Sequence, residues 1–200
     1  ATASITVTQP ATALAASLTN IVNVICYGDA SGSVTATASG GTSPYQFSID
    51  SINYQPSGIF NGLTAGNYSM FVRDANGCDT TISFTITQPD TALTVVINTF
   101  NDILCAGQSN GSATALVTGG TTPYNYSWNT VPPQTTATAT GLTAGTYIVT
   151  VDDANGCGPV TATVTIDEPL PITATASALP IKCPGDSTTV TIAASGGTGT

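Results

Sequence analysis

Histidine is absent from this chain of 200 residues, and basic residues are nearly absent. The lack of histidine removes the commonest general base, the Ser-His-Asp and Cys-His catalytic arrangements, and most zinc sites. Lys and Arg together number two, and Asp and Glu together number eleven, so the formal net charge is −9. No basic patch could therefore hold a phosphate backbone. We therefore expect neither an enzyme nor a nucleic-acid-binding protein.

Long hydrophobic runs are also missing. No apolar run approaches the roughly 20 residues that a membrane-spanning helix needs, and no stretch shows sustained helical periodicity. Only 6% of the residues are charged, and the apolar residues are mostly small or β-branched, which favours short strands and rigid turns. The sequence predicts an all-β protein with no membrane span in these 200 residues.

The chain repeats itself at a spacing of 79 residues. Gly-Leu-Thr-Ala-Gly-x-Tyr and Asp-Ala-Asn-Gly-Cys occur between Gly62 and Cys78, and both return between Gly141 and Cys157. Repetition at a fixed period indicates a tandem array of one structural unit. We predict complete repeats at residues 11–89 and 90–169, the final strand of a preceding repeat in residues 1–10, and the truncated start of a further repeat in residues 170–200.

Each complete repeat has the pattern of an immunoglobulin-like β-sandwich. About seven short strands in roughly 80 residues, with turn signals every 8 to 12 residues, are typical of that fold. The Leu-x-x-Gly-x-Tyr pattern predicts structural tyrosine corners at Tyr68 and Tyr147, in which the phenol bonds back to nearby backbone. Two-residue type I′ hairpin turns are predicted at Asn76, Gly77, Asn155 and Gly156, because Asn-Gly best tolerates positive φ at both central positions.

The five cysteines follow the repeat, with one pair 52 residues apart in each complete copy. If the strands alternate up and down, the turn before the second strand and the hairpin after the sixth lie at the same end of the module. We therefore predict disulfides between Cys26 and Cys78 and between Cys105 and Cys157, with the partner of Cys183 beyond residue 200; five reduced core cysteines are the alternative. Each bond would stabilise by about 4 kcal/mol at most. Because a cytosol keeps thiols reduced, the expected location is extracellular or at the cell surface.

Several motifs together carry a family resemblance. Cys-x-Gly, Gly-Gly-Thr-x-Pro-Tyr, Gly-Leu-Thr-Ala-Gly-x-Tyr, Asp-Ala-Asn-Gly-Cys and Thr-Ile-Thr-Gln-Pro resemble the SprB-type repeat. Such repeats occur in very large surface adhesins of gliding bacteria, and the resemblance covers the whole chain. It implies export by the type IX secretion system, attachment at the cell surface and a role in adhesion during gliding.

Two kinds of polar site are weaker hypotheses. Calcium could bind beside the last hairpin, where Asp74, Asp79, Asp152 and Asp153 lie, although no Asp-x-Asp-x-Asp-Gly loop is present; the alternative is that these aspartates begin turns. No other cofactor is expected. Asp-Ser/Thr triplets resemble the O-glycosylation signal of the same bacteria, and the residues that would carry glycans are Ser51, Thr80, Thr91 and Ser187.

The hypothesis for function is mechanical: stiff modules in series form a stalk that holds an adhesive part away from the cell. The expected partners are neighbouring repeats, with surface polysaccharide or the secretion and gliding machinery as further candidates. A carbohydrate-binding module is the main alternative, in which Tyr54 would stack on sugars, although its counterpart Pro133 is not aromatic. Lateral association into an extracellular filament is a third possibility, favoured by long, unprotected edge strands.

Overall fold

The computed structural model describes residues 4–5, 9 and 11–197, and all regular structure there is β-strand. Most of residues 1–10, predicted as the final strand of a preceding repeat, lies outside the described residues. No helix in the described part of the chain is long and apolar enough to cross a membrane. The strands are β1 (Ala15–Val22), β2 (Gly32–Ser39), β3 (Gln46–Ser48), β4 (Ile59–Leu63), β5 (Gly66–Arg73), β6 (Asp79–Ile86), β7 (Thr94–Asn101), β8 (Gly111–Thr118), β9 (Asn125–Trp128), β10 (Thr138–Leu142), β11 (Gly145–Asp152), β12 (Val160–Ile166), β13 (Thr173–Ala178) and β14 (Val190–Ser195).

The chain divides into two compact units. The first comprises residues 1–92 with 119–121, and the second comprises residues 93–118 and 122–200. The first unit ends close to residue 89, where the 79-residue period places the end of a repeat. Each unit is described by itself.

The first unit is a sandwich of two three-stranded antiparallel sheets, with strand orders β1-β2-β4 and β3-β5-β6. Alternation along the strands points one face of each sheet inward: Val34 is 1% exposed on β2, and Met70 and Val72 are both fully buried on β5. Phe47 from β3 completes this core and is 6% exposed. The predicted all-β sandwich is therefore confirmed.

The number of strands differs from the expectation. The repeat has six strands instead of about seven, because the stretch between β3 and β4 forms only an isolated antiparallel bridge between Phe47 and Gln55. The chain reverses at this bridge, so β3 and β4 run in the same direction. The side chain of Asp50 fixes the start of the reversal by accepting bonds from the N–H groups of Ile52 and Asn53, at 2.8 and 2.7 Å.

The two ends of the repeat are distinct. The chain begins the repeat beside Gly40, runs along β1, and turns at Cys26 into β2. It leaves the repeat at the end of β6, where the N–H of Val24 donates to the carbonyl of Thr87 at 2.9 Å. We call the end that holds residues 12–14, 40–42 and 74–78 the incoming end. The end that holds residues 23–28 and 87–88 is the outgoing end.

The second unit repeats this sandwich, with strand orders β7-β8-β10 and β9-β11-β12. Its core contains Trp128, which is 1% exposed and donates from Nε1 to the carbonyl of Thr136 at 3.0 Å. The remaining hairpin, β13 with β14, pairs from Thr173↔Ser195 to Ala178↔Val190. Its Val190 corresponds to Val34 and is 57% exposed, because within the described residues this hairpin is a separate two-stranded sheet.

The predicted type I′ hairpin turns are wrong. Ala75 and Asn76 are the central residues of a turn closed by the N–H of Gly77 on the carbonyl of Asp74 at 3.0 Å, and φ is positive at Gly77 (81°) but not at Asn76. A type I′ turn needs positive φ at both central residues. Residues 74–78 thus form a wider loop, and residues 153–157 repeat it, with φ at Gly156 of 74°.

The sandwich core generates a first prediction. Met70→Ala removes a fully buried side chain from the middle of β5 and leaves a cavity, so we expect the first unit to lose about 2 to 5 kcal/mol of stability. Ile52→Ala, at a side chain that is 80% exposed, is the control and should change stability by less than about 0.5 kcal/mol. Urea unfolding followed by circular dichroism would measure both, and equal shifts of the midpoint would contradict the assigned core.

Candidate interaction sites at the two ends of each repeat

The incoming end is closed by a pair of glycines. Gly40 has φ of 69°, and a Cβ there would lie 2.1 Å from the carbonyl oxygen of Ala13, so no other residue fits. The next N–H, that of Gly41, donates to the carbonyl of Thr12 at 2.9 Å. The same bond recurs from Gly120 to Thr91 and from Gly197 to Leu170, at 3.0 and 2.8 Å.

A buried carboxylate organises the loop beside these glycines. Asp74 is 4% exposed, and its carboxylate accepts bonds from the N–H groups of Thr42, Asn76 and Cys78, each at 2.9 Å. These hydrogen bonds, of which the one from Cys78 has the largest effect, hold the pKa of Asp74 below its ordinary value. Asp153 has the same position in the second unit, at 2% exposed, and accepts from the N–H of Cys157 at 2.8 Å.

The outgoing end ties the Cys26 turn to the last residue before the proline. The N–H of Gly28 donates to Oε1 of Gln88 at 2.9 Å, and the N–H of Thr87 donates to Oδ1 of Asn23 at 2.9 Å. In the second unit, the N–H of Gly107 donates to Oε2 of Glu168 at 2.7 Å. The first cysteine of each repeat is therefore held beside the point where the chain leaves.

Both tyrosine-corner candidates have the expected geometry. The hydroxyl of Tyr68 donates to the carbonyl of Thr64 at 3.0 Å, and that of Tyr147 donates to the carbonyl of Thr143 at 3.0 Å. Tyr68 also stacks on Phe84, with ring centroids 5.4 Å apart. These phenols are thus used within the fold, at the crossing from one sheet to the other.

The two predicted disulfide pairings, Cys26 with Cys78 and Cys105 with Cys157, are wrong. Cys78, Cys105 and Cys183 are free thiols, whereas Cys26 and Cys157 are in disulfide form.

The reason is the parity of the turns. In an up-and-down arrangement, the turn after the first strand and the turn after the sixth lie at opposite ends. Here the segment at Gln55 runs antiparallel to β3 and takes the place of one strand, so β5 is the sixth segment in the series. Cys26 lies at the outgoing end, and Cys78 lies at the incoming end, directly before the 8 residues of β6. A strand of that length spans roughly 26 Å, whereas the Cα atoms of a disulfide lie within about 7 Å of each other.

Three of the four carboxylates considered for calcium are engaged in the fold. Asp74 and Asp153 bind backbone N–H groups, as described above, and Asp79 accepts a hydrogen bond from Nε of Arg73 at 2.7 Å. Asp152 lies at the end of β11. Among residues 4–5, 9 and 11–197, no three His, Cys, Asp or Glu side chains form a group that could hold a metal ion.

The four candidate glycan acceptors lie in different surroundings. Ser51, Thr91 and Ser187 are exposed, and Ser51 has a positive φ of 61° at the tip of the Asp50 turn. Thr80 is half-buried within β6. Ser51, Thr91 and Ser187 are therefore the accessible members of the set.

Tyr54, the candidate sugar platform, has a partner within the repeat. The guanidinium carbon of Arg73 lies 4.6 Å from the centroid of its ring, and Arg73 in turn pairs with Asp79. A cation–π contact of this kind covers one face of the ring. The tyrosine is half-buried.

Sequence reasoning missed the residues that anchor the two ends. Asn23 and Gln88 received no role, although Gln88-Pro89 and Glu168-Pro169 recur at the end of each copy. That recurrence, together with the shared ability of glutamine and glutamate to accept a hydrogen bond, was the available signal. For Asp74 and Asp153 the structure favours turn formation, the alternative to calcium binding, because both carboxylates accept hydrogen bonds from N–H groups of the loop that follows them.

Two segments of the chain match a known protein family. Residues 18–53 and 97–132 match the family model of the SprB repeat, which confirms the resemblance. None of the curated proteins matches the chain in sequence.

Several solved structures are similar to this chain. The three N-terminal domains of the Highly Immunogenic Outer Capsid protein (Hoc) of bacteriophage RB49 match at 17% identity and a TM-score of 0.42, over 92% of this chain and 70% of that one. The C-terminal 282-residue fragment of intimin, in complex with the intimin-binding domain of the translocated intimin receptor, matches at 16% identity and a TM-score of 0.39, over 80% and 66%. A tetra-tandem repeat in the extending region of a large adhesion protein matches at 15% identity and a TM-score of 0.27, over 90% and 62%. Similarities of this size carry no functional conclusion, and this chain spans less than two thirds of the latter two.

The Asp74 network generates a pH prediction. Because the pKa of Asp74 is lowered in the folded state, its contribution to stability is present above the ordinary aspartate pKa near 4 and is lost as the pH falls toward the folded value. We expect the wild type to lose stability progressively below about pH 4, and Asp74→Asn to lose less over the same range. Thermal unfolding at pH 6 to 2 would measure this, with Asp90→Asn at an exposed position as the control. An unchanged pH slope in Asp74→Asn would contradict the assignment.

The Gln88 anchor generates a separate prediction. Gln88→Ala removes the acceptor of the Gly28 N–H at 2.9 Å, which we expect to cost about 0.5 to 1.5 kcal/mol in the first unit. Hydrogen exchange at the Gly28 amide should accelerate. Gln46→Ala, at an exposed position of β3, is the control, and an unaltered Gly28 exchange rate in Gln88→Ala would show that the bond does not hold the turn.

Proposed function

We propose that this chain, which contains two SprB repeats, is a run of structural spacer modules from a cell-surface adhesin. The match at residues 18–53 and 97–132 supports a surface adhesin repeat role. In this proposal the modules hold an adhesive part of the protein at a distance from the cell, and they carry out no catalysis.

The observation that carries the proposal is the path of the chain through one repeat. β1 and β6 both run from the incoming end to the outgoing end, so the chain is received at one end of the sandwich and released at the other. A module of this kind adds its own length when it is inserted in a series. A module whose termini lie together would add a side branch instead.

The polar and aromatic side chains support a spacer role as well. The hydroxyl of Tyr45 donates to the carbonyl of Gly40 at 2.6 Å, and Tyr68, Tyr147 and Trp128 are also bonded within their own repeat. A sugar-binding site needs aromatic and polar side chains that converge on a concave surface and are free to bind. In the described residues these groups serve the fold instead.

The finer assignments extend this proposal. We propose an extracellular, surface-attached location, export by the type IX secretion system, and participation in adhesion during gliding. Neighbouring repeats of the same chain are the first partners in this scheme, with surface polysaccharide or the secretion and gliding machinery as partners of the whole protein. No metal or other cofactor is required. Ser51, Thr91 and Ser187 are the proposed positions for glycans.

Two measurements test the spacer role. The purified chain should show no saturable binding to a panel of bacterial surface polysaccharides, and cells whose adhesin lacks residues 90–169 should still adhere to the same targets, because that deletion joins Pro89 to Leu170 and removes one module in register. Saturable polysaccharide binding that is lost in Tyr54→Ala but kept in Tyr27→Ala would favour the carbohydrate-binding alternative. Loss of target recognition in the deletion strain would also contradict a spacer.

A further inference from the structure

The hairpin of β13 and β14 has the backbone anchors of the first two strands of a repeat. The N–H of Gly197 donates to the carbonyl of Leu170 at 2.8 Å, and the N–H of Asp186 donates to the carbonyl of Cys183 at 3.2 Å. The equivalent bonds of the first repeat are 2.9 and 3.1 Å long. The hairpin therefore corresponds to β1 and β2, and β14 has the position of β2.

In both complete repeats, the second strand has a neighbour on each side. β2 pairs with β1 and with β4, and β8 pairs with β7 and with β10. The N–H of Ala36 donates to the carbonyl of Gly58, and that of the equivalent Ala115 donates to the carbonyl of Ala137, each at 2.8 Å. This N–H group is therefore directed toward the third strand of the sheet, away from the first.

The corresponding edge of β14 has no strand on it within the described residues, where β13 and β14 form a two-stranded sheet. Ile192 pairs with Ala176 as Ala36 pairs with Leu18, so its N–H is directed toward this open edge. Unpaired N–H and C=O groups on an edge strand are a template for another strand. A two-stranded hairpin alone is also marginally stable in water. The edge of β14 is therefore suited to accept a strand.

One face of the same hairpin is apolar and exposed. Val190 is 57% exposed and Ile192 is 69% exposed. The corresponding residues of the first repeat, Val34 and Ala36, are 1% and 4% exposed, and they share a core with Met70 of the facing sheet. Contiguous exposed apolar side chains of this kind mark a contact surface. The hairpin thus presents both an edge and a face that other strands cover in the complete repeats.

We propose that the β13–β14 hairpin is an acceptor site for the other four strands of a repeat. The occupant is a polypeptide with the strand pattern of residues 45–89. Its β4-type strand pairs with the open edge of β14, and its other three strands form a sheet that covers Val190 and Ile192. Such completion of a copy does not depend on the spacer role proposed above.

The residues before Val190 limit the length of this pairing. A Cβ on Gly32 of β2 would lie 2.7 Å from the carbonyl oxygen of Leu63 in β4, and the second repeat has a glycine at the same place. No glycine lies between Asp186 and Val190, where Ser and Thr occupy all three positions. The accepted strand therefore pairs with β14 from Val190 onward and not with the residues that precede it.

Amide hydrogen exchange in the whole 200-residue chain tests the acceptor site. The probe is a separate polypeptide of residues 45–89, added in excess. The Ile192 amide, which faces the open edge, should exchange at least about tenfold more slowly with the probe than without it. The Thr191 amide, which faces β13, is the internal reference. Unchanged exchange at Ile192 would overturn the proposal, as would protection that rises with the concentration of the chain alone, because a second copy would then cover the hairpin.

Two substitutions at adjacent residues separate docking on this face from unspecific adsorption. Ile192→Asp places a carboxylate on the face that the probe covers, so the protection of the Val190 amide by the probe should be lost. Thr191→Asp places the same charge on the opposite face of β14 and should leave that protection intact. Equal protection of the Val190 amide in the two variants would contradict the assigned face.

A covalent form of the experiment does not depend on the solubility of the probe. Residues 45–89 are joined directly after Thr200, which restores the spacing of the first repeat, because Tyr45 follows Gly41 by four residues and the added segment follows Gly197 by four. The extended chain should protect the Ile192 amide, whereas a chain extended by the same residues in scrambled order should not. Exchange at Ile192 as fast in the extended chain as in the original one would overturn the proposal.

Discussion

The structure depends on the burial of one face of each small sheet against the other. Val34 on one sheet is 1% exposed and Val72 on the other is fully buried, so each inward face is shielded from water by the facing sheet. Most of the apolar side chains are small, so a repeat gains little from any single contact. The middle of the sandwich therefore relies on a few fully buried residues, among them Met70, Val72, Val149 and Val151.

The residues shared by the two copies concentrate at the ends of the sandwich. The Gly-Gly pair, the Asp-Ala-Asn-Gly-Cys loop and the Gln-Pro or Glu-Pro exit all fix backbone N–H groups where strands stop. The core changes more freely, since Met70 and Ile49 of the first repeat are replaced by Val149 and Trp128 at the corresponding positions of the second. Buried volume can be supplied from neighbouring strand positions, whereas a turn that needs one acceptor at one place cannot be altered so easily.

Much of the fold could be predicted from the sequence, because alternation along the strands is a local property. The all-β sandwich could be predicted in this way, and both tyrosine corners follow from the Leu-x-x-Gly-x-Tyr motif, which is also local. The type of the hairpin turn does not, since the carboxylate of Asp74 bonds two N–H groups within the loop and stabilises a wider turn than Asn-Gly alone favours. The ends to which the cysteines belong depend on every reversal of the chain. The reversal at Gln55 rests on a single bridge that leaves little pattern in the sequence.

The parallel course of β1 and β6 has a mechanical consequence. A tensile load on a repeat would pull β1 toward the incoming end and β6 toward the outgoing end, along the strand axes. The ladder bonds lie across those axes, so the load shears whole rows of them together and does not unzip them one at a time. A sandwich threaded in this way resists extension through geometry, even though its core is thin.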